Sequence, residues 1–339
     1  MRPEAPILGI VLVVYKSAAD TEAFVRHQLP KVHCPDRAVV VDLGSDIEHT
    51  RGLAARCGTT VCEGDLDPGQ TVYFLHCQEN LGYARGNNLG ARVLLKHFGG
   101  ITALLFSNTD IEMLTPDTVS LLLARLESLP EVACIGPRVV GLDGGDQSPL
   151  YEPISLGEII CSELLSAAVC RRYLSRRAQR QPNLPPEEGY CYTVMGCFLM
   201  VRASDFTAAG MFDPHTFLYR EEEIISERLL RLHKRAYYLA TAVVRHYGGK
   251  TIGKYIPDHR VNRLHFESSC YYYRAYRGAT ATQLGLFRLA KAISLTRAAL
   301  LRLLRNACGR AAPPGAAGSD RGEPPATGGG ECPAPLEKG

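Results

Sequence analysis

The sequence predicts an α/β fold with a mostly parallel sheet. Apolar, β-branched runs recur through the first half of the chain, and stretches of helical periodicity lie between them. Strands that alternate with helices favour parallel pairing. The open ends of such a sheet then become the expected ligand site, since ligands bind beyond the carboxyl ends of parallel strands.

The elements follow in order. Ile7–Val14 is an unbroken apolar run of the kind expected for a strand covered on both faces. A helical pattern runs from about Asp20 to Leu29, and a second strand spans Ala38–Asp42 and stops at Gly44-Ser45. Thr71–Cys77 and Ile101–Ser107 are further strands, with a helix from about Arg85 to His97 between them. Thr115-Pro116-Asp117 combines a capping hydroxyl, a first-turn proline and an acid near the positive helix end, so a helix is expected from there to about Leu129. Glu131–Val140 reads as the next strand. The pattern loosens from about 143 to 189, an insertion that includes the basic stretch Arg171–Arg180 and the loop Pro182–Pro186. Order returns at Tyr190–Arg202, in a helix near Glu221 and in a strand at Tyr237–Val244.

Composition sets the outer bounds. The chain has 339 residues, 46% hydrophobic and 22% charged, which is ordinary for a globular protein large enough to bury a sizeable core. Its 38 basic and 35 acidic residues leave a net charge of +3, so no nucleic-acid partner is expected. No secretory leader and no apolar stretch of about 18 residues is found, and a cytoplasmic protein without a membrane span is the expectation. The 12 cysteines are scattered and form no CxxC pair, which argues for reduced thiols over a zinc site.

Four features carry chemistry. Asp42 ends the second strand, where a carboxylate either caps the turn or accepts a hydrogen bond from a base or ribose. Asn80-Leu81-Gly82-Tyr83-Ala84-Arg85-Gly86-Asn87-Asn88-Leu89-Gly90 is either a tight loop leading into a helix or a ligand loop. In the second reading its glycines admit close approach and Arg85 meets phosphate. Ser107-Asn108-Thr109-Asp110 follows a strand, which suits Asp110 to Mg²⁺ or Mn²⁺, ions that take few protein oxygens and fill the rest of their shell from phosphate and water. Asp65 and Asp67 look more like a metal motif, but no strand precedes their turn-forming loop. The fourth feature is Phe217-Leu218-Tyr219-Arg220-Glu221-Glu222-Glu223, with His246 after it at a strand end followed by glycines. Acids at a helix start are either dipole-complementing surface charge or, beside a cleft, a general base. His246 suits a metal or phosphate contact.

Together these motifs resemble family 2 glycosyltransferases of the bacterial rhamnosyltransferase-like type. The resemblance spans about residues 7–277 and is most specific at Asn80–Gly90, at Ser107–Asp110 with Ile135-Gly136-Pro137-Arg138, and at Phe217–Glu222 leading to His246. It implies the GT-A fold, a single Rossmann-like catalytic domain over 1–277. It implies donor-binding roles for Val14, Tyr15, Asp42, Asn80, Gly82, Arg85, Gly86, Asn87 and Asn108, and metal binding by Asp110 and His246. Glu222 takes the place of the base that deprotonates the acceptor, with Glu221 as the alternative. The implied reaction is a single in-line displacement with inversion, from a nucleotide-diphosphate sugar to a saccharide or lipid-linked acceptor. Departures from the family pattern are Lys16 and Leu43 where asparagine is usual and Asn108 where many members have aspartate. The chain has no tryptophan, so the QxxRW motif of processive members is absent and one transfer per encounter is expected.

Beyond residue 278 a helical extension to about 310 is expected, followed by a disordered Gly/Pro/Ala-rich tail over 311–339. Within residues 284–305, Leu286, Leu289, Ile293, Leu300 and Leu304 share one side and Arg288, Lys291, Arg302 and Arg305 the other, with Arg297 breaking the pattern. Such a helix either packs on protein or lies on the inner leaflet of the membrane, with Tyr271-Tyr272-Tyr273 and Tyr276 as an interfacial belt. Two rival functions are a sugar-nucleotidyltransferase and a non-catalytic sugar-nucleotide scaffold. The first usually carries a glycine-rich, lysine-bearing loop after the first strand, and Tyr15-Lys16-Ser17-Ala18-Ala19 lacks the glycines.

Overall fold

A computed structural model describes residues 7–62, 64–165, 188–248 and 257–309. Its centre is a nine-stranded mixed sheet. Strands β1 (Leu8–Val14), β2 (Asp36–Leu43), β3 (Val72–Cys77) and β4 (Ala103–Ser107) stand in the order β3-β2-β1-β4, all parallel. This is the alternating half that the sequence predicts. The sheet continues through β8 (Phe198–Arg202), β6 (Val132–Val140), β9 (Arg235–His246) and β5 (Ile111–Met113), with β7 (Glu188–Cys191) also on β9. Antiparallel pairing enters with β8, β5 and β7, while β6 and β9 run parallel.

Helices cover both faces. They are α1 (Ala18–His27), α2 (Ile47–Arg56), α3 (Gly82–His97), α4 (Thr118–Ser128), α5 (Leu156–Leu164), α6 (Ala203–Ala208), α7 (Glu221–Arg231), α8 (Asp258–Ala275) and α9 (Ala281–Gly309). The two faces of the sheet bury separate apolar clusters, one around Leu12, Phe74 and Leu122, the other around Val11, Phe106 and Phe212. The second face depends on how closely α3 approaches β1. A Cβ on Gly90 would lie 2.5 Å from Val11 Cγ1, and one on Gly86 3.1 Å from both Val13 methyls. These two glycines, one helical turn apart, are therefore contact points between helix and sheet.

Several expectations change. The glycine-rich stretch is helix from Gly82 onward, so most of the expected ligand loop is a packed helix. The α2 helix goes unannounced in the hydrophobic pattern, although Asp46 caps it by accepting from the His49 amide at 2.8 Å. Thr115 does not cap α4. Its hydroxyl donates to the Thr241 carbonyl at 3.3 Å and accepts from the Val243 amide at 3.1 Å, tying the helix entrance to β9. Part of the 143–189 insertion is ordered as α5, which a capping box between Ser155 and Glu158 starts. Arg171–Arg180, Pro182–Pro186 and the 311–339 tail lie outside the described residues.

The tyrosine run is also not a surface belt. Tyr272 and Tyr273 are 1% exposed and form a satellite cluster with Ile224 of α7 and Leu284 of α9. Tyr271 and Tyr276 both donate to the buried Asp213 carboxylate, as does His215, and Arg228 pairs with it at 2.8 Å. Burial opposes ionisation of Asp213, but the hydrogen bonds from Tyr276, His215 and Tyr271 outweigh it and hold its carboxyl well below the usual range. The chain divides into two compact units, 1–291 and 292–339, and the second contributes the distal part of α9. No described helix is long and apolar enough to cross a membrane.

Candidate active site

A cleft of about 270 Å³ opens at the carboxyl ends of β1, β4 and β9. Its wall is built from strand ends and from the loop before α7. Tyr15 follows β1, Asn108–Asp110 follow β4, His246 ends β9, and Phe217–Glu222 lead into α7.

Each wall is tied to its neighbour through backbone groups. The Asn108 amide donates to the Cys197 carbonyl at 2.8 Å, joining the end of β4 to the start of β8. The Tyr83 amide donates to the Phe217 carbonyl at 2.9 Å, joining α3 to the loop before α7. Gly82 permits that approach. Its φ is +76°, and a Cβ there would sit 2.3 Å from the Phe217 oxygen. Asn80 completes the corner by accepting from the Gly82 amide at 3.0 Å.

The expected metal pair comes together from two elements. Ile111 pairs with His246 in the β5–β9 ladder, which brings the end of β9 beside Asp110. His246 Nε2 lies 3.5 Å from Asp110 Oδ1, and both side chains are largely buried. A carboxylate oxygen and an imidazole nitrogen at that separation fit two ligands of one small cation, each at about 2.1 Å. Among the described residues no cluster of three or more His, Cys, Asp or Glu side chains has metal-site geometry. An ion held here would complete its shell from diphosphate oxygens and water, as Mg²⁺ and Mn²⁺ commonly do.

The acid side of the cleft is strained and buried. Tyr219 and Arg220, just before α7, both have left-handed backbone, with φ of +76° and +73°. Two adjacent non-glycine residues in that region cost roughly 1–3 kcal/mol each and persist only where surroundings enforce them. Here Arg220 is enforced by a buried ion pair with Glu223, a hydrogen bond to Ser269 Oγ at 3.2 Å and the rings of Tyr272 and Tyr273. The turn thereby aims Glu222 into the cleft. Burial and the neighbouring Glu223 push the Glu222 carboxyl up to about 7, against the partial opposition of backbone amides, Gly196 among them, and of Arg220. Burial and Glu222 push Glu221 up to about 8, and its Oε1 has no hydrogen-bond partner.

The remaining donor-side candidates separate into two groups. Tyr15, Asn80, Gly82 and Asn108 line the cleft, whereas Val14, Asp42, Arg85, Gly86 and Asn87 do not. Val14 is buried in the sheet core. Asp42 is 1% exposed, and its carboxylate accepts from Ser45 Oγ and Thr50 Oγ1, both at 2.8 Å. Arg85 Nε donates to the Pro214 carbonyl at 3.1 Å, and Asn87 donates back within the helix to the Tyr83 carbonyl at 3.0 Å. Gly86 packs against Val13 and Leu43 on the sheet side of α3, so none of these three residues reaches the cleft wall.

Sequence reasoning passed over Tyr83, Gly196 and Thr109. Tyr83 donates its hydroxyl to the Gly196 carbonyl at 2.5 Å, and the Gly196 amide donates to the Glu222 carboxylate. Only the spatial meeting of α3, the 195–197 segment and α7 reveals that chain of contacts.

No family model matches the chain. It is similar to an N-acetylglucosaminyl-diphospho-decaprenol L-rhamnosyltransferase of Mycobacterium tuberculosis, found in strains CDC 1551 / Oshkosh and ATCC 25618 / H37Rv. The two are 23% identical over 254 residues, 73% of this chain and 78% of that protein. Among solved structures it is similar to GalNAc-T7 with UDP, GalNAc and Mn²⁺, at TM-score 0.50 and 15% identity. The match covers 72% of this chain and 44% of the other, so the chain spans less than half the length of that structure. A second is the mannosyltransferase PcManGT of Pyrobaculum calidifontis with GDP-Man and Mn²⁺, at TM-score 0.49 and 13% identity, covering 91% of this chain and 81% of the other.

Proposed function

We propose that this chain, a protein of the GT-A fold, is a glycosyltransferase that moves one sugar at a time from a dTDP- or UDP-sugar to a saccharide or lipid-linked acceptor, with inversion. The observation that carries the reading is the meeting of Asp110, His246 and Glu222 in one cleft, although 136 residues separate the first two in sequence.

Among the described residues, the cleft lining contains Asp110, Glu221 and Glu222 and no lysine or arginine. A nucleotide diphosphate is an anion, and placing it there without a counter-charge is costly. This supports a divalent cation, Mg²⁺ or Mn²⁺, held by Asp110 and His246. When bound, the ion neutralises charge on the diphosphate as it leaves. The relatives' names point the same way. The mycobacterial protein is a rhamnosyltransferase named for a diphospho-decaprenol acceptor, and GalNAc-T7 is a complex with UDP and Mn²⁺.

The chain's own residues then do the following. Tyr15, Asn80 and Asn108 bound the donor side of the cleft, and the apolar Phe217-Leu218-Tyr219 segment restricts water beside Glu222. Glu222 takes the proton of the acceptor hydroxyl while the hydroxyl oxygen bonds to the anomeric carbon. The bond from that carbon to the diphosphate breaks, and its electron pair leaves with the nucleotide. Burial and the neighbouring Glu223 raise the Glu222 carboxyl well above the usual range, toward the pH at which a general base works best.

The exposed apolar side of α9 supports a further part of the reading, approach to a membrane surface on its cytoplasmic side. Leu286, Leu289, Ile293, Leu300 and Leu304 are each about half exposed. Such a face suits a shallow interfacial helix.

The deciding experiment is calorimetry with UDP-, dTDP- and GDP-sugars, with and without Mn²⁺, on the wild type and Asp110→Ala. Metal-dependent binding of one nucleotide class, lost in Asp110→Ala, is the expected result. Absence of binding to every donor sinks the proposal, and binding without turnover on any acceptor leaves a scaffold.

A further inference from the structure

The imidazole of His246 has two nitrogens, and each meets a different partner. Nε2 faces Asp110, while Nδ1 lies 3.0 Å from Gln147 Oε1. Gln147 belongs to none of the motifs that define the cleft. It sits on the segment that follows β6, and it is not part of the cleft wall.

That segment is built to hold its position. The Gln147 amide donates to the Val139 carbonyl at 2.9 Å, and Asp146 pairs with Arg138 at 2.7 Å, so the segment folds back on β6. Between them the turn closes through the Gly141 amide to the Gly145 carbonyl at 2.9 Å and the Gly145 amide to Asp143 Oδ1 at 3.0 Å. Gly141 makes room for the glutamine side chain: a Cβ there would lie 2.8 Å from Gln147 Nε2. The amide nitrogen thus rests over Gly141 and the amide oxygen turns to His246.

An amide oxygen can only accept, so the bond requires a proton on Nδ1. A neutral imidazole carries one proton, and with Nδ1 protonated the lone pair is on Nε2, directed at Asp110. A metal ligand needs that lone pair, and the partner on the far nitrogen decides where it is. We propose that Gln147 is a positioning residue that fixes His246 in the Nδ1–H tautomer and so presents Nε2, with Asp110, to a divalent cation. This rests on the metal-dependent reading of the cleft and assigns a residue to it that contacts neither donor nor acceptor.

The test uses the full chain and two readouts. Proton–nitrogen correlation spectra of the metal-free protein identify the His246 tautomer, and calorimetry with MnCl₂ and UDP measures the cation. In the wild type Nδ1 carries the proton. Gln147→Leu moves the proton predominantly to Nε2 and weakens Mn²⁺ binding about 10–100-fold, the usual effect of losing such an outer partner. Gln147→Asn, which keeps an amide one methylene short, recovers part of the binding only if the oxygen still reaches, and Gly141→Ala reproduces the Gln147→Leu spectrum by displacing the side chain. A wild-type Nε2–H tautomer overturns the proposal, as does unchanged Mn²⁺ affinity in Gln147→Leu. If the wild type holds the Nδ1–H tautomer yet binds no Mn²⁺, the metal-dependent reading fails while the hydrogen-bond assignment stands.

Discussion

The chemistry at Glu221 and Glu222 turns on where two neighbouring carboxyls titrate. Glu222, raised to about 7, must be ionised to act as a base, so transfer should rise with pH through about 7 and level off above it. Glu222→Gln should lower kcat by about 10²–10⁴-fold with donor affinity retained, which steady-state kinetics beside calorimetry would check. Glu221 lies deeper, and its effect belongs to stability. Its folded pKa of about 8 exceeds the ordinary 4.5, so the folded state holds a proton that the unfolded chain releases. Its contribution is fully present below about 4.5 and is lost as pH rises through about 8. Glu221→Gln should flatten that part of the stability curve and raise Tm at pH 8, read by thermal unfolding across pH. An unchanged slope would mean that Glu221 is ionised in the folded protein.

Elements matter here mainly through where they begin. Helix α3 starts at Gly82 because an αL glycine and the Phe217 carbonyl occupy the same corner. Gly82→Ala should cost about 1–3 kcal/mol in urea unfolding, from steric conflict with backbone, and should reduce transfer as well, because the conflict falls on the segment that carries Tyr219 and Glu222. Asn88 makes the matching tie further along. It donates to the Phe212 carbonyl at 2.8 Å and accepts from the Phe212 amide at 3.0 Å. Asn88→Ala leaves both backbone groups buried without partners and should destabilise by a further few kcal/mol at most. Behind the acid helix, α8 and α9 supply Tyr272, Tyr273 and Leu284, which hold Ile224 and Arg220 in place. The tyrosines therefore act on the strained turn from within the protein.

For the whole molecule, the proposed approach to a membrane surface rests on α9. Leu289 and Ile293 are 57% and 46% exposed, and charged replacements there leave the described core untouched. Leu289→Asp combined with Ile293→Asp should keep Tm within a degree or two and reduce sedimentation with anionic vesicles. Undiminished sedimentation would remove the membrane role of this face. The same architecture explains why the sheet is mixed. The parallel half positions Tyr15 and Asn108–Asp110, and the antiparallel additions of β8 and β5 bring the 195–197 segment and His246 against them.

What the sequence determined by itself was local and periodic. Apolar runs marked the parallel strands, a helix was expected near Glu221, and the motifs that hold Asp110, Glu222 and His246 carried the resemblance together with Asn80–Gly90. Those features rest on side-chain pattern and short-range capping, which a linear chain displays. Tertiary structure alone decided which polar residues face the cleft. Arg85, Gly86 and Asn87 looked like ligand groups, yet Arg85 bonds to the Pro214 carbonyl, Gly86 packs on Val13 and Asn87 bonds within its helix, while Asp42 found its partners in Ser45 and Thr50. Gln147 gave no signal at all, because its meaning lies in one nitrogen of a histidine 99 residues away. Hydrogen-bond direction, burial and steric clearance depend on atoms brought together from distant segments, and no sequence pattern records them.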